Sequence, residues 1–115
     1  MDLFAGIRVS DYESARAWYE RLLDGEPSFV PHATEAVWEL AESRFLYIYE
    51  DAGRAGGALQ TIFVDDLDAL VAGVSSRGIE PAERETYPGK ARKAIYRDPD
   101  GNEIGFGGPD DGATP

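Results

Sequence analysis

Apolar residues fall into two successive patterns near the start of the chain. From Leu3 to Val9 the sequence is almost continuously apolar over a length that suits a strand. Asp11 then stands where a helix cap belongs, and Ala15, Trp18, Tyr19, Leu22 and Leu23 follow at steps of three and four. That spacing predicts one buried helical stripe, ended at Gly25. The same order returns later. Leu59 to Val64 reads as a strand, Asp66 as a cap, Leu67, Leu70, Val71 and Val74 as a stripe, and Gly78 as a stop. Phe4 and Leu59, Ile7 and Ile62, Val9 and Val64, and Asp11 and Asp66 are each 55 positions apart. The order of elements therefore repeats within the chain.

Short segments of β character follow each helix, at 28–31, 36–40 and 45–50 in the first half and at 82–86, 93–97 and 103–106 in the second. Both halves read β-α-β-β-β. The expectation is one α+β domain over 1–115, built from two tandem βαβββ modules at about 3–50 and 59–106. A Gly-rich linker at 51–57 joins them, and a tail at 107–115, rich in Gly, Pro and Asp, is expected to fray. With 115 residues and 43% hydrophobic content the chain suits a single core.

Charge narrows the partners. Twenty-two acidic side chains against eleven basic ones give a net charge of −11. This opposes approach to phosphate backbones and anionic lipid, so neither nucleic acid nor membrane is an expected partner, and it favours cationic ligands at long range. Acidity also serves solubility alone. Without cysteine, disulfide and thiolate chemistry are excluded. No apolar stretch approaches the ~20 residues of a membrane span, and no basic flank with a long apolar run opens the chain, so a cytoplasmic protein is expected.

The densest local signal is Arg97-Asp98-Pro99-Asp100-Gly101-Asn102-Glu103-Ile104-Gly105-Phe106. Pro99 fixes φ for a turn, Asp98 and Asn102 bond nearby backbone, and Gly101 accepts a positive φ. This turn before the last strand, the duplicated βαβββ order and the junctions Val9-Ser10-Asp11 and Val64-Asp65-Asp66 together resemble the vicinal oxygen chelate superfamily, the glyoxalase, bleomycin-resistance and extradiol-dioxygenase group. The resemblance runs from about Leu3 to Phe106. It implies curved sheets forming an open cup with the helices outside, and in metal-dependent members a divalent ion held by histidines and carboxylates of both modules.

Carried over position by position, those ligands fall on Phe4, Tyr47, Leu59 and Gly105. Phenyl and isobutyl groups have no lone pairs, glycine has no side chain, and a neutral phenol is a poor ligand. No metal, no cofactor and no catalytic residue are therefore assigned. His32, the sole histidine, reads as an exposed loop residue. Asp65, Asp66 and Asp68 read as a cap and first-turn charges. Glu103 is the one carboxylate close to the Gly105 position.

Aromatic surface replaces the ligands. Alternation puts Phe4, Gly6 and Arg8 on the cup face and Ala5, Ile7 and Val9 on the helix face. Leu59, Thr61 and Phe63, and Phe45, Tyr47 and Tyr49, share the cup face by the same rule, while Trp38, Tyr96 and Phe106 are further candidates for its wall. The expected ligand-binding set is Phe4, Arg8, Trp38, Tyr47, Tyr49, Leu59, Phe63, Tyr96 and Gly105. Ordinary packing of half-buried strands would give the same alternation. Trp18 and Tyr19 lie on the helix stripe and read as core. Arg8 needs either a structural carboxylate or a ligand anion.

The favoured reading is a non-catalytic protein that binds or sequesters a small, partly aromatic molecule, cationic if long-range charge decides, as in the bleomycin-resistance branch. One alternative is a metal-independent, glyoxalase-like isomerase or lyase using Tyr47, Tyr49 and Glu103 for acid–base work. Another is a protein-association domain with no small ligand. The resemblance also implies a homodimer, because small members often complete their cups with two chains.

Overall fold

The computed structural model describes residues 1–110. Strands β1 (Leu3–Val9), β2 (Phe29–His32), β3 (Glu35–Ala41) and β4 (Arg44–Glu50) surround helix α1 (Tyr12–Leu23) in sequence, and β5 (Leu59–Phe63), β6 (Glu83–Tyr87), β7 (Ala91–Arg97) and β8 (Glu103–Pro109) surround α2 (Leu67–Ser76). Two βαβββ units result. Each forms a four-stranded mixed sheet of the same order, β1-β4-β3-β2 and β5-β8-β7-β6, with its first strand parallel to its last.

Helix starts follow the caps read from sequence. Asp66 accepts the Ala69 amide through its side chain, satisfying one of the free N–H groups of α2. Asp11 holds the equivalent position, but its carboxylate accepts from the Ser14 hydroxyl, and Glu50 caps the Tyr12 amide instead. At the other end of α1 the residue in the left-handed conformation is Asp24 and not Gly25. Asp tolerates that conformation through its short polar side chain.

Three other boundaries differ from expectation. The linker contains a short 3₁₀ turn at Ala52–Arg54. His32 ends strand β2, paired to Glu35, because the β2–β3 hairpin closes directly over it. Strand β8 runs to Pro109, so 107–109, expected to begin the tail, pair with Ala91 to Lys93. The remainder of that tail, 111–115, lies outside the described residues.

A single apolar cluster runs through both units. Ile7, Val9, Leu46 and Ile48 from the first sheet and Ala94, Tyr96, Ile104 and Phe106 from the second meet the helix stripes Ala15, Trp18, Tyr19, Leu22, Leu67 and Val74. Val37 and Ile95 are 2% and 3% exposed yet stand outside this cluster, on the faces turned away from the helices. Those faces have their own packing. They are the open faces of the two sheets.

The Asp98–Asn102 turn fastens one unit to the other. Asp98 accepts from the Asp100 and Asn102 amides, from the Asn102 side-chain amide and from the Tyr19 hydroxyl of α1. Asn102 in turn donates to the Arg8 carbonyl and accepts from the Ala58 amide, and Asp100 accepts from the Ser10 amide. Both Asp98 and Asn102 are buried, so these bonds satisfy groups that water does not reach.

Candidate functional site

The first sheet presents a contiguous set of rings on its open face. Register places Phe4 opposite Phe45, Gly6 opposite Tyr47 and Arg8 opposite Tyr49. Phe4 and Phe45 stack at 4.3 Å between centroids and 7° between planes. Tyr47 lies edge-on to Phe4 at 6.5 Å and stacked with Tyr49 at 6.4 Å, while Phe29 of β2 meets Phe45 edge-on at 6.4 Å. Gly6 makes this possible. A Cβ there would come within 2.7 Å of the Tyr47 ring, so the phenol lies across the glycine backbone. Phe4 is 47% exposed and Phe29 46% exposed, so these rings are not closed off as a core would be.

Arg8 ends the ladder. Its Nε donates to the Tyr49 hydroxyl at 3.0 Å and sits 3.4 Å from the Asp51 carboxylate, with its guanidinium 5.8 Å from the Tyr49 ring centroid. The Tyr49 bond is foremost among the influences that raise the Arg8 pKa, so the group is a permanent cation. Asp51 therefore answers the need for a structural carboxylate read from sequence.

The second sheet presents a different surface at equivalent positions. Leu59 pairs with Glu103, Thr61 with Gly105 and Phe63 with Gly107. Leu59 and Phe63 are 64% and 63% exposed. A Cβ on Gly105 would lie 2.5 Å from Lys93 Cε, and one on Gly107 would lie 3.1 Å from the Phe63 ring. Lys93 and Phe63 thus lie over a floor of two glycines. Arg97 joins Glu83 at 2.8 Å and Glu103 at 3.3 Å beside it.

Two predicted wall residues leave the set. Trp38 and Tyr96, 4% and 0% exposed, face the helices, because in register they accompany Leu46 and Ile104 and not Tyr47 and Gly105. The Trp38 indole donates to the Gly25 carbonyl at 2.9 Å and packs near Tyr19. Tyr96 packs edge-on against Phe106, which is itself core, and the Tyr96 hydroxyl has no partner among the described residues. Burial pushes its pKa up. Of the predicted residues, the structure brings Phe4, Arg8, Tyr47 and Tyr49 together on one open face and Leu59, Phe63 and Gly105 on the other.

The sequence reading missed Phe29, because β2 carries no alternation that fixes its facing, and Lys93, because a lone lysine in a strand carries no signal until the register over Gly105 is known. Among the described residues no group of three or more His, Cys, Asp or Glu is placed to hold a metal ion. The side chains at Phe4, Tyr47, Leu59 and Gly105 do not fit one. A cleft of about 450 Å³ opens between β1 and β5, lined by Leu3, Ala5, Phe45, Thr61 and Phe63 among others, and no ladder joins these two strands. Only Phe63 of the predicted set lines it. The ring ladder itself is an open surface.

Comparison with known proteins agrees with this architecture. Residues 2–106 match the sequence profile of the Glyoxalase/Bleomycin resistance protein/Dioxygenase superfamily. A glyoxalase / bleomycin resistance protein from Catenulispora acidiphila is 55% identical with a TM-score of 0.92, covering 94% of this chain and 97% of that one. A bleomycin-binding protein solved with bleomycin has a TM-score of 0.72 at 20% identity, over 96% and 99% of the two chains. A lactoylglutathione lyase from Agrobacterium tumefaciens has a TM-score of 0.71 at 18% identity, over 94% and 92%. The last two likenesses are of fold alone, and they span both a binder and an enzyme. Among curated proteins none is similar enough to match.

Proposed function

The chain belongs to the Glyoxalase/Bleomycin resistance protein/Dioxygenase superfamily, and within it we propose that it binds and sequesters a small, partly aromatic molecule without a metal. One observation carries this reading. Where a chelating member would need ligands on its first sheet, this chain has a ladder of partly exposed rings, Phe4, Phe29, Phe45, Tyr47 and Tyr49, ended by the Arg8 cation. Rings in this arrangement offer flat contact area at low entropic cost, and the phenols orient a polar ligand. Leu59, Phe63 and Gly105 contribute from the second sheet. The binding of bleomycin by a protein of the same fold supports the class of function and not the identity of the ligand.

The open faces also support pairing of two chains. Each sheet has two unpaired edges, β1 and β2 in the first and β5 and β6 in the second, and the exposed rings Phe4, Phe29 and Phe63 lie on three of them. A second copy would cover these faces and complete two cups, giving a dimer with an interface in the range of specific associations. The acid–base reading has less support, because Glu103 is held by Arg97 and the Tyr49 hydroxyl by Arg8. Tyr47 alone remains for it.

The test is a calorimetric or NMR screen of planar aromatic compounds against the purified chain. Saturable binding, weakened by about 0.5–1.5 kcal/mol in Tyr47→Ala or Phe45→Ala, is the expected result. Absence of saturable binding across the screen removes the proposal. Turnover of a bound compound, lost in Tyr47→Phe, replaces it with the enzyme reading.

A further inference from the structure

We infer that Lys93 is the charged anchor of the second open face, and that the molecule bound there presents an anionic oxygen, an aromatic carboxylate or phenolate, to its ammonium. The inference rests on the binding reading above and adds the sign of the ligand's charge at the contact. Lys93 is half-buried and, among the described residues, has neither a hydrogen bond nor an ion pair. The other half-buried cations, Arg16, Arg77 and Arg92, each meet a carboxylate. In a chain with 22 acidic against 11 basic side chains, an unpaired ammonium needs a local reason.

The reason is visible in its neighbours. Glu85 stands directly across the β6–β7 ladder from Lys93, but its carboxylate accepts from the Tyr87 hydroxyl at 2.9 Å. Glu83 and Glu103 on the same face are both bonded to Arg97. Each acid of that face accepts from a side chain other than Lys93. The Lys93 stem meanwhile lies across Gly105, where a side chain of any size would displace it. Phe63 lies over Gly107, which is in register with both Phe63 and Lys93.

Lys93 and Phe63 thus cover Gly105 and Gly107, and an exposed ring stands on the same face as an ammonium without a partner among the described residues. A planar acid fits this pattern, its ring against Phe63 and its carboxylate on Lys93. The net charge of −11 acts on approach, but it is screened within about 8–10 Å, whereas a hydrogen-bonded charge pair acts at contact.

Calorimetry on the full chain with two matched probes, 2-naphthoate and 2-naphthylmethylammonium, tests this. Naphthoate should bind saturably, Lys93→Met should weaken it roughly ten- to hundred-fold, and Lys93→Arg should retain most of the affinity. The ammonium probe should not lose affinity in Lys93→Met. Melting curves confirm that both variants fold. Naphthoate binding unchanged in Lys93→Met, or binding of the ammonium probe alone, overturns the anchor and leaves the binding reading standing. Saturable binding of neither probe also overturns the anchor, and the binding reading falls only if the wider screen of planar compounds is empty as well.

Discussion

The two halves of the molecule are alike on one face and unlike on the other. Superposing the registers pairs Leu46 with Ile104, Ile48 with Phe106, Ala36 with Ala94 and Trp38 with Tyr96 on the helix faces, all of them buried. On the open faces the same operation pairs Phe45 with Glu103, Tyr47 with Gly105, Tyr49 with Gly107 and Glu35 with Lys93. Rings meet an acid and two glycines, and an acid meets a base, while Phe4 and Leu59, and Val37 and Ile95, stay apolar. Packing constrains volume and apolarity wherever a helix must be covered. A face with no helix on it is free of that demand, and its chemistry has diverged into an aromatic half and an ionic half.

The hardest test of this contrast is core truncation against open-face truncation. Leu46→Ala and Ile104→Ala should each cost about 2–5 kcal/mol in denaturant unfolding, the loss of burial plus the cavity left behind. Phe4→Ala should cost about 0.5–1.5 kcal/mol, the value of its stacked partner, because nearly half of the ring already meets solvent. A Phe4 variant as damaging as Leu46→Ala would make the ladder a second core and not a binding surface.

The same contrast explains what the sequence could show. Helix stripes, caps and the 55-residue repeat depend on spacing within one segment, so Ala15, Tyr19, Leu22 and Asp66 fall where their pattern puts them. Alternation also sufficed for β1 and β4, where the aliphatic parity, Ile7 and Val9 with Leu46 and Ile48, is the buried one and the rings and Arg8 take the other. In β3 Trp38 shares its parity with Ala36 and Leu40, opposite Glu35 and Glu39, so alternation itself points it inward against the expected wall. In β7 polar and apolar residues occur on both faces, and only the ladder to β8 turns Tyr96 to the helices. The fastening role of Asn102 was hidden for another reason. Its partners Ala58 and Arg8 are 44 and 94 residues away, and no local pattern carries such a contact.

A smaller effect separates the two glycine floors. In Gly6→Ala the new methyl meets Cζ and Oη of the Tyr47 ring, a rigid group tied into the ladder, and should cost about 1–2 kcal/mol as the ring is displaced. In Gly105→Ala the methyl meets Lys93 Cε, near the free end of a flexible chain that can swing aside. Its stability should stay within about 0.5 kcal/mol of the parent while the Lys93 ammonium resonance moves. Equal costs in the two variants would mean that Lys93 is held as firmly as Tyr47, and the floors would no longer differ in rigidity.

The smallest effect compares the two buried tyrosines. Tyr19 donates to Asp98 at 2.8 Å, whereas the Tyr96 hydroxyl finds no partner among the described residues. Tyr19→Phe should therefore cost about 1 kcal/mol, and Tyr96→Phe should be neutral or slightly stabilising, because it removes a desolvated group that gained nothing in return. Burial raises both pKa values, that of Tyr19 with further help from Asp98. Each phenol must then stay protonated in the fold, and the sign follows. The contribution of each is fully present below the unfolded value of about 10 and is lost as pH rises beyond it. Unfolding midpoints measured from pH 8 to 11 should fall at the alkaline end, and less so in Tyr19→Phe. A destabilised Tyr96→Phe would reveal a buried water on that hydroxyl and make the two tyrosines equivalent after all.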